Sequence, residues 1–141
     1  MLSNELKEII EKIKEQGKMH FIEAANDEQI TLFENGQGFN LPSKYKEWLL
    51  FSDGGEFFLP AGIQMYGVAH KPVIDVSDVD KPGDKYIVIG SLASGDPILC
   101  EKDQETISIF NHEAGCIEDD ERYDDFFAFL KGMYEFLGIG E

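Results

Sequence analysis

Apolar residues recur along this chain with two different periods, and the change from one to the other divides it. Leu2, Leu6, Ile9, Ile10 and Ile13 stand at helical spacing, with Glu5, Lys7, Glu8, Glu11, Lys12, Lys14 and Glu15 between them. That pattern predicts an amphipathic helix over residues 3–16, with Ser3 as its N-cap and Gly17 at its end. A shorter helix is predicted over 27–35: Asn26 caps it, Gln29 takes the capping-box position, and Ile30 and Phe33 face inward. Gly36 and Gly38 then break the chain. In a third helix, over 43–52, Pro42 occupies the first turn, where a missing N–H deprives no intrahelical partner. Tyr45, Trp48 and Leu49 form its apolar stripe, and Lys44, Lys46 and Glu47 its wet side. Gly54 and Gly55 supply the positive-φ conformations that end it and turn the chain into a strand.

Beyond that turn the period shortens towards two. Short strands are predicted at 56–59, 63–67 and 72–76, the last carrying Val73, Ile74 and Val76. Strands at 85–91 and 97–102 are joined by Ala93, Ser94, Gly95 and Asp96, a loop of hairpin length. Residues 106–110 alternate, with Ile107 and Ile109 set against Thr106 and Ser108. A helix over about 122–137 closes the pattern. Its stripe of Phe126, Phe129, Leu130, Met133 and Leu137, widened by Phe127, Tyr134 and Phe136, is too broad to face solvent and is placed against the sheet. Helices, then strands, then a helix predict an α+β fold. It is read as a single domain over residues 1–141, with N-terminal helices and a C-terminal helix packed on a central antiparallel or mixed sheet.

Three of these stretches also resemble one family. Residues 41–57 run Leu-Pro-Ser-Lys-Tyr-Lys-Glu-Trp-Leu-Leu-Phe-Ser-Asp-Gly-Gly-Glu-Phe. This is similar to the core of the SUKH superfamily, in which Leu-Pro, an aromatic, and an aromatic-plus-Leu pair precede a polar residue and Gly-Gly. Ile89-Gly90 followed by Gly95-Asp96-Pro97-Ile98-Leu99 resembles the family's strand, glycine-bearing turn and returning strand. Phe126, Phe129 and Leu130 resemble its closing helix. Asp53 departs from the pattern, since the family favours Asn before Gly-Gly; either residue tolerates a turn geometry. The resemblance implies helices packed on a central sheet. It also implies a binding role, because many bacterial members are immunity proteins that neutralise a cognate toxin, often a nuclease, while others are regulatory or scaffold modules.

Charge narrows the partner. The 141 residues hold 28 acids against 12 Lys and Arg, for a formal net charge of −16. Half of that deficit falls in residues 101–125, where Glu101, Asp103, Glu105, Glu113, Glu118, Asp119, Asp120, Glu121, Asp124 and Asp125 outnumber Lys102 and Arg122. Direct binding to nucleic-acid phosphates is disfavoured, because it relies on Lys and Arg displacing counterions. A basic protein partner is favoured through steering and complementary potentials. The N-terminus carries no signal-peptide pattern and no apolar run reaches the roughly 20 residues of a membrane span, so a cytoplasmic protein without membrane contact is expected. Cys100 and Cys116 lack metal or redox spacing, and no disulfide between them is expected.

Candidate chemistry is thin. Solvated acids near the start of the last helix would suit its dipole, which accounts for two or three carboxylates but not for six in residues 118–125. Contiguous carboxylates cannot all converge on one cation. Asp78, Asp80 and Gly83 match three positions of a calcium loop, but Pro82 interrupts it and Ile89 stands where the bidentate Glu belongs. His20, His70 and His112 show no ligand spacing and are read as surface or partly satisfied histidines. Ser91 and Ser94 form no nucleophile elbow, and residues 36–38 form no phosphate loop. Tyr45, Trp48 and the C-terminal phenylalanines are read as core rather than as a ligand cage. We therefore expect no enzyme, no cofactor and no metal. The expected function is immunity by binding a basic toxin, with partner-binding residues Glu101, Asp103, Glu105, Glu118, Asp119, Asp120, Glu121, Tyr123, Asp124 and Asp125. The alternative is a cytosolic adaptor unconnected with any toxin.

Overall fold

The computed structural model describes residues 3–16, 18–59, 63–70, 74, 85–92, 95–111 and 113–136, without the side chains of 16, 18, 19, 58, 59, 118–121 and 133–136. In chain order the elements are α1 (Asn4–Gln16), β1 (Lys18–His20), α2 (Asp27–Gln37), α3 (Ser43–Leu49), β2 (Gly55–Leu59), β3 (Ile63–Met65), β4 (Tyr86–Leu92), β5 (Pro97–Glu101), β6 (Ile107–Asn111), β7 (Cys116–Tyr123) and α4 (Phe126–Phe136). The seven strands lie side by side in sequence order, and every pairing is antiparallel. The sheet is therefore a meander, and the fold is α+β.

Local signals place the helices. The Ser3 hydroxyl accepts from the Leu6 N–H at 3.2 Å, capping α1. Asn26 and Gln29 form the reciprocal capping box of α2, at 2.8 and 3.0 Å, and Gly38 closes that helix in the left-handed conformation at φ 80°. Pro42 precedes the first turn of α3 as its N-cap instead of lying within it. The third helix also stops earlier than predicted, at Leu49, and Phe51 and Ser52 fold back to the Trp48 carbonyl at 2.8 and 2.9 Å.

One face of the sheet carries the main core. Ile63, Met65, Ile87, Ile89, Ile98, Cys100, Ile107 and Ile109 pack with the stripes of α1, α3 and α4. An aromatic group sits at its centre. Trp48, fully buried, stacks edge-on against Phe57 at 5.0 Å and Phe51 at 5.3 Å, and Tyr45 meets Phe126 at 4.7 Å. Tyr45 and Trp48 are core residues, as their spacing predicts. α4 packs on α1, α3 and β7.

Two strands escape the sequence reading. β1 is three residues long, too short to show a period. β7 occupies residues whose pattern predicts an acidic loop and the start of the last helix, so that helix begins at Phe126 instead of about residue 122. The predicted strand at 63–67 ends at Met65. The one predicted at 72–76 lies outside the described residues except for Ile74, which is buried and donates its N–H to the Gly67 carbonyl at 2.9 Å.

Candidate functional site

Two groups of carboxylates stand apart in this fold. The first is a single residue. Asp53 is fully buried at the turn between α3 and β2. One carboxylate oxygen accepts from the Val68 N–H at 2.8 Å, and the other from the Ala69 and His70 N–H groups at 2.8 and 2.7 Å. The His70 ring nitrogen Nδ1 lies 2.9 Å from that second oxygen, and Nε2 lies 3.3 Å from Glu23. Three backbone donors and an imidazole therefore meet one buried anion, which is how such a group is made tolerable away from water. The hydrogen bond to Asp53 raises the pKa of His70 above that of a free histidine; partial burial opposes this, and Glu23 adds to it.

The chain around Asp53 is fitted closely. Gly54 and Gly55 adopt φ 102° and 125°, which favours glycine. A Cβ on Gly67 would stand 2.3 Å from the Asp53 carbonyl oxygen, so the segment carrying the three N–H donors can approach only because that position has no side chain. The Trp48 indole N–H donates to the Gly54 carbonyl at 3.0 Å, and the Ser52 hydroxyl accepts from Ile22 and donates to that same carbonyl. The Tyr45 hydroxyl donates to the Tyr66 carbonyl, and burial beside Asp53 pushes its pKa well up. Asp53 does not use the left-handed backbone that an Asn or Asp at this position tolerates; among the described residues Asp103 is the non-glycine residue at positive φ, 62°. Its part is played by the side chain.

The second group is the acid-rich stretch 101–125. Its members are differently employed. Glu105 accepts from the Ser43 N–H and hydroxyl at 2.8 and 3.0 Å and from the Lys44 N–H at 3.3 Å, satisfying orphan donors at the start of α3. Asp103 accepts from the Asn40 N–H at 2.7 Å while its own N–H donates to the Asn40 carbonyl at 3.1 Å, which fastens the β5–β6 turn to the chain before α3. Asp125 accepts from the Ala128 N–H at 2.8 Å, capping α4, and lies 3.8 Å from Lys44. Glu101 pairs with Lys85 at 3.4 Å. Asp124 is exposed, and Tyr123 is half-buried, its ring edge-on to Phe129 at 5.5 Å.

Glu118, Asp119, Asp120 and Glu121 lie on β7, an outermost strand of the sheet. Phe110 pairs with Ile117, and Ser108 with Arg122, so these four residues stand opposite Ile109 alone. The run is a wide irregularity in an edge strand. Charge and bulging are two of the features that keep an edge from pairing with another chain. Because Tyr123 pairs with Ile107, the end of β7 lies beside the β5–β6 turn and brings Asp124 and Asp125 towards Glu105 and α3.

Of the histidines, His20 is exposed on β1, His70 is held as described, and His112 lies outside the described residues. The calcium-like residues 78–84 also lie outside them. Among the described residues no three His, Cys, Asp or Glu side chains are placed to share a metal ion, and no helix is long and apolar enough to cross a membrane. The sequence reading missed the Asp53–His70 pair. Its local signal was the acid before Gly-Gly; nothing nearby marked the partner.

A protein-family model described as the SMI1 / KNR4 family (SUKH-1) matches residues 24–132. The match takes in the Asp53 turn and the whole of the acid-rich stretch, and leaves α1 outside. No curated protein that the chain was compared with matches it.

Proposed function

The chain belongs to the SMI1 / KNR4 family (SUKH-1), and from that premise we propose that it is an immunity-type protein, acting as one domain in the cytoplasm, that binds and neutralises a basic toxin domain. It works by occupying its partner and has no catalytic role. The observation that carries this reading is the concentration of charge. Residues 101–125 hold half of the net −16, and most of their acids fall in the β5–β6 turn and on or just after the edge strand β7. A toxin that acts on nucleic acid must be basic around its substrate groove, and an acidic edge is complementary to that.

Within the stretch, Glu118, Asp119, Asp120, Glu121 and Asp124 are the proposed steering residues. Glu101, Asp103, Glu105 and Asp125 add to the local potential while bonded within the fold, and Tyr123 is the proposed aromatic contact. The test is to produce the chain together with the protein encoded beside its gene. A one-to-one complex is expected, with an association rate that falls as salt rises. A neighbour without a toxin domain, with binding instead to a housekeeping protein, would favour the adaptor reading.

A further inference from the structure

We infer that His70 is a proton-operated latch that ties the β1–α2 loop to the β3–β4 connection across the Gly54-Gly55 turn. The geometry carries this. His70 presents one ring nitrogen to Asp53 at 2.9 Å and the other to Glu23 at 3.3 Å. Asp53 belongs to the α3–β2 turn, Glu23 to the β1–α2 loop, and His70 to the segment leaving β3, so one imidazole touches three separate parts of the chain. A neutral imidazole has one N–H; the imidazolium has two. Only the protonated ring can donate to both acids at once.

Deprotonation acts unequally at the two ends. Asp53 is fully buried and, while the segment stays closed, keeps its three backbone donors, so loss of the proton makes opening more frequent without breaking those bonds in the closed state. The ring's remaining N–H serves it best at Nδ1, which turns the Nε2 lone pair towards the Glu23 carboxylate. The Glu23 end therefore opens, and the Asp53 end falls from a charge-assisted bond to an ordinary one. The His70 side chain is 30% exposed, so its proton exchanges with solvent without any opening of the core. Among the described residues, the other ionisable groups on the elements meeting here include Tyr45, bonded to the Tyr66 carbonyl, Tyr66 itself, His20 at the end of β1 and Glu56 opposite it on β2, with Lys44, Lys46 and Glu47 on α3. No lysine or arginine among the described residues pairs with Asp53 or Glu23, which leaves His70 as the cation between them.

The direction with pH follows. A histidine whose pKa is higher in the closed state than in the open one stabilises the closed state fully below the open-state value, and loses that effect as pH rises through the closed-state value. The Val68, Ala69 and His70 N–H groups report closure directly, since all three donate to Asp53. In the full chain, NMR should show the His70 ring titrating above a histidine in an unstructured peptide. Amide protection of Val68 and Ala69, corrected for intrinsic exchange, should fall in step with that midpoint, by about tenfold for each pH unit separating the closed and open values. Glu23→Gln, an exposed change, should lower the midpoint, and His70→Gln should abolish the pH step. An ordinary or lowered midpoint, or a step that survives His70→Gln, overturns the latch. Neither readout depends on any toxin, so the outcome is independent of the proposed function.

Discussion

Asp53 and the acids of residues 101–125 carry the same functional group under opposite conditions. Asp53 stands alone and fully buried, and donors from a distant loop converge on it. The others are many; those whose side chains are described are exposed or partly so, and the group is laid along a sheet edge and the turn beside it. Burial explains the contrast: a carboxylate taken from water must be surrounded by donors, whereas one left in water needs none. Counting acids along the chain therefore points to the second group and passes over the residue on which the turn depends. The second group is itself mixed. Glu105, Asp103 and Asp125 accept backbone N–H groups, so charge density alone does not separate acids that hold the fold from acids available to a partner.

The contrast can be broken by substitution. Asp53→Ala should lower stability by about 3–5 kcal/mol in chemical denaturation, because three backbone donors and an imidazole lose their acceptor together. Trp48→Ala is the yardstick for lost packing and should also cost about 3–5 kcal/mol. If Asp53→Ala costs less than about 1 kcal/mol, measured the same way, the carboxylate is not structural and the distinction drawn here fails. Glu105→Ala should cost about 0.5–2 kcal/mol, the usual range for a lost helix cap.

The smallest effect on stability should come from the edge. Asp119, Asp120 and Asp124 replaced together by Asn should stay within about 0.5 kcal/mol of the parent. Asp125 is left out, since it caps α4. If these acids meet a basic partner, the triple variant associates more slowly with it and with a flatter salt dependence. If their work is to guard the edge strand, the variant self-associates instead, which sedimentation would show.

Much of the fold was legible because its signals are local. The stripe of α1, the capping box of α2 and the Leu-Pro entry to α3 each lie within a few residues, and the structure follows them closely. The alternation at 106–110 likewise became β6. β7 was hidden because residues 118–121 leave register with β6, so no two-residue period runs through them. The roles of Asp53 and Glu105 were hidden for another reason. The donors to Asp53 lie 15 to 17 residues along the chain, and Glu105 serves a helix start about 60 residues before it. Only folding brings such partners together, and no spacing rule within one segment announces them.

The order of the strands has a consequence for how the molecule assembles. In a meander each strand joins the one made just before it, so most closures span short loops and cost little entropy. The helical layer is different: α1 and α4 pack together, and Glu5 meets Lys131 at 3.1 Å across 126 positions of sequence. We predict that hairpins β4–β5 and β5–β6 form early and that the joining of α1 to α4 comes last. Substitutions at the α1–α4 contact would then speed unfolding while leaving the refolding rate nearly unchanged, and a matching slowdown in refolding would contradict this order.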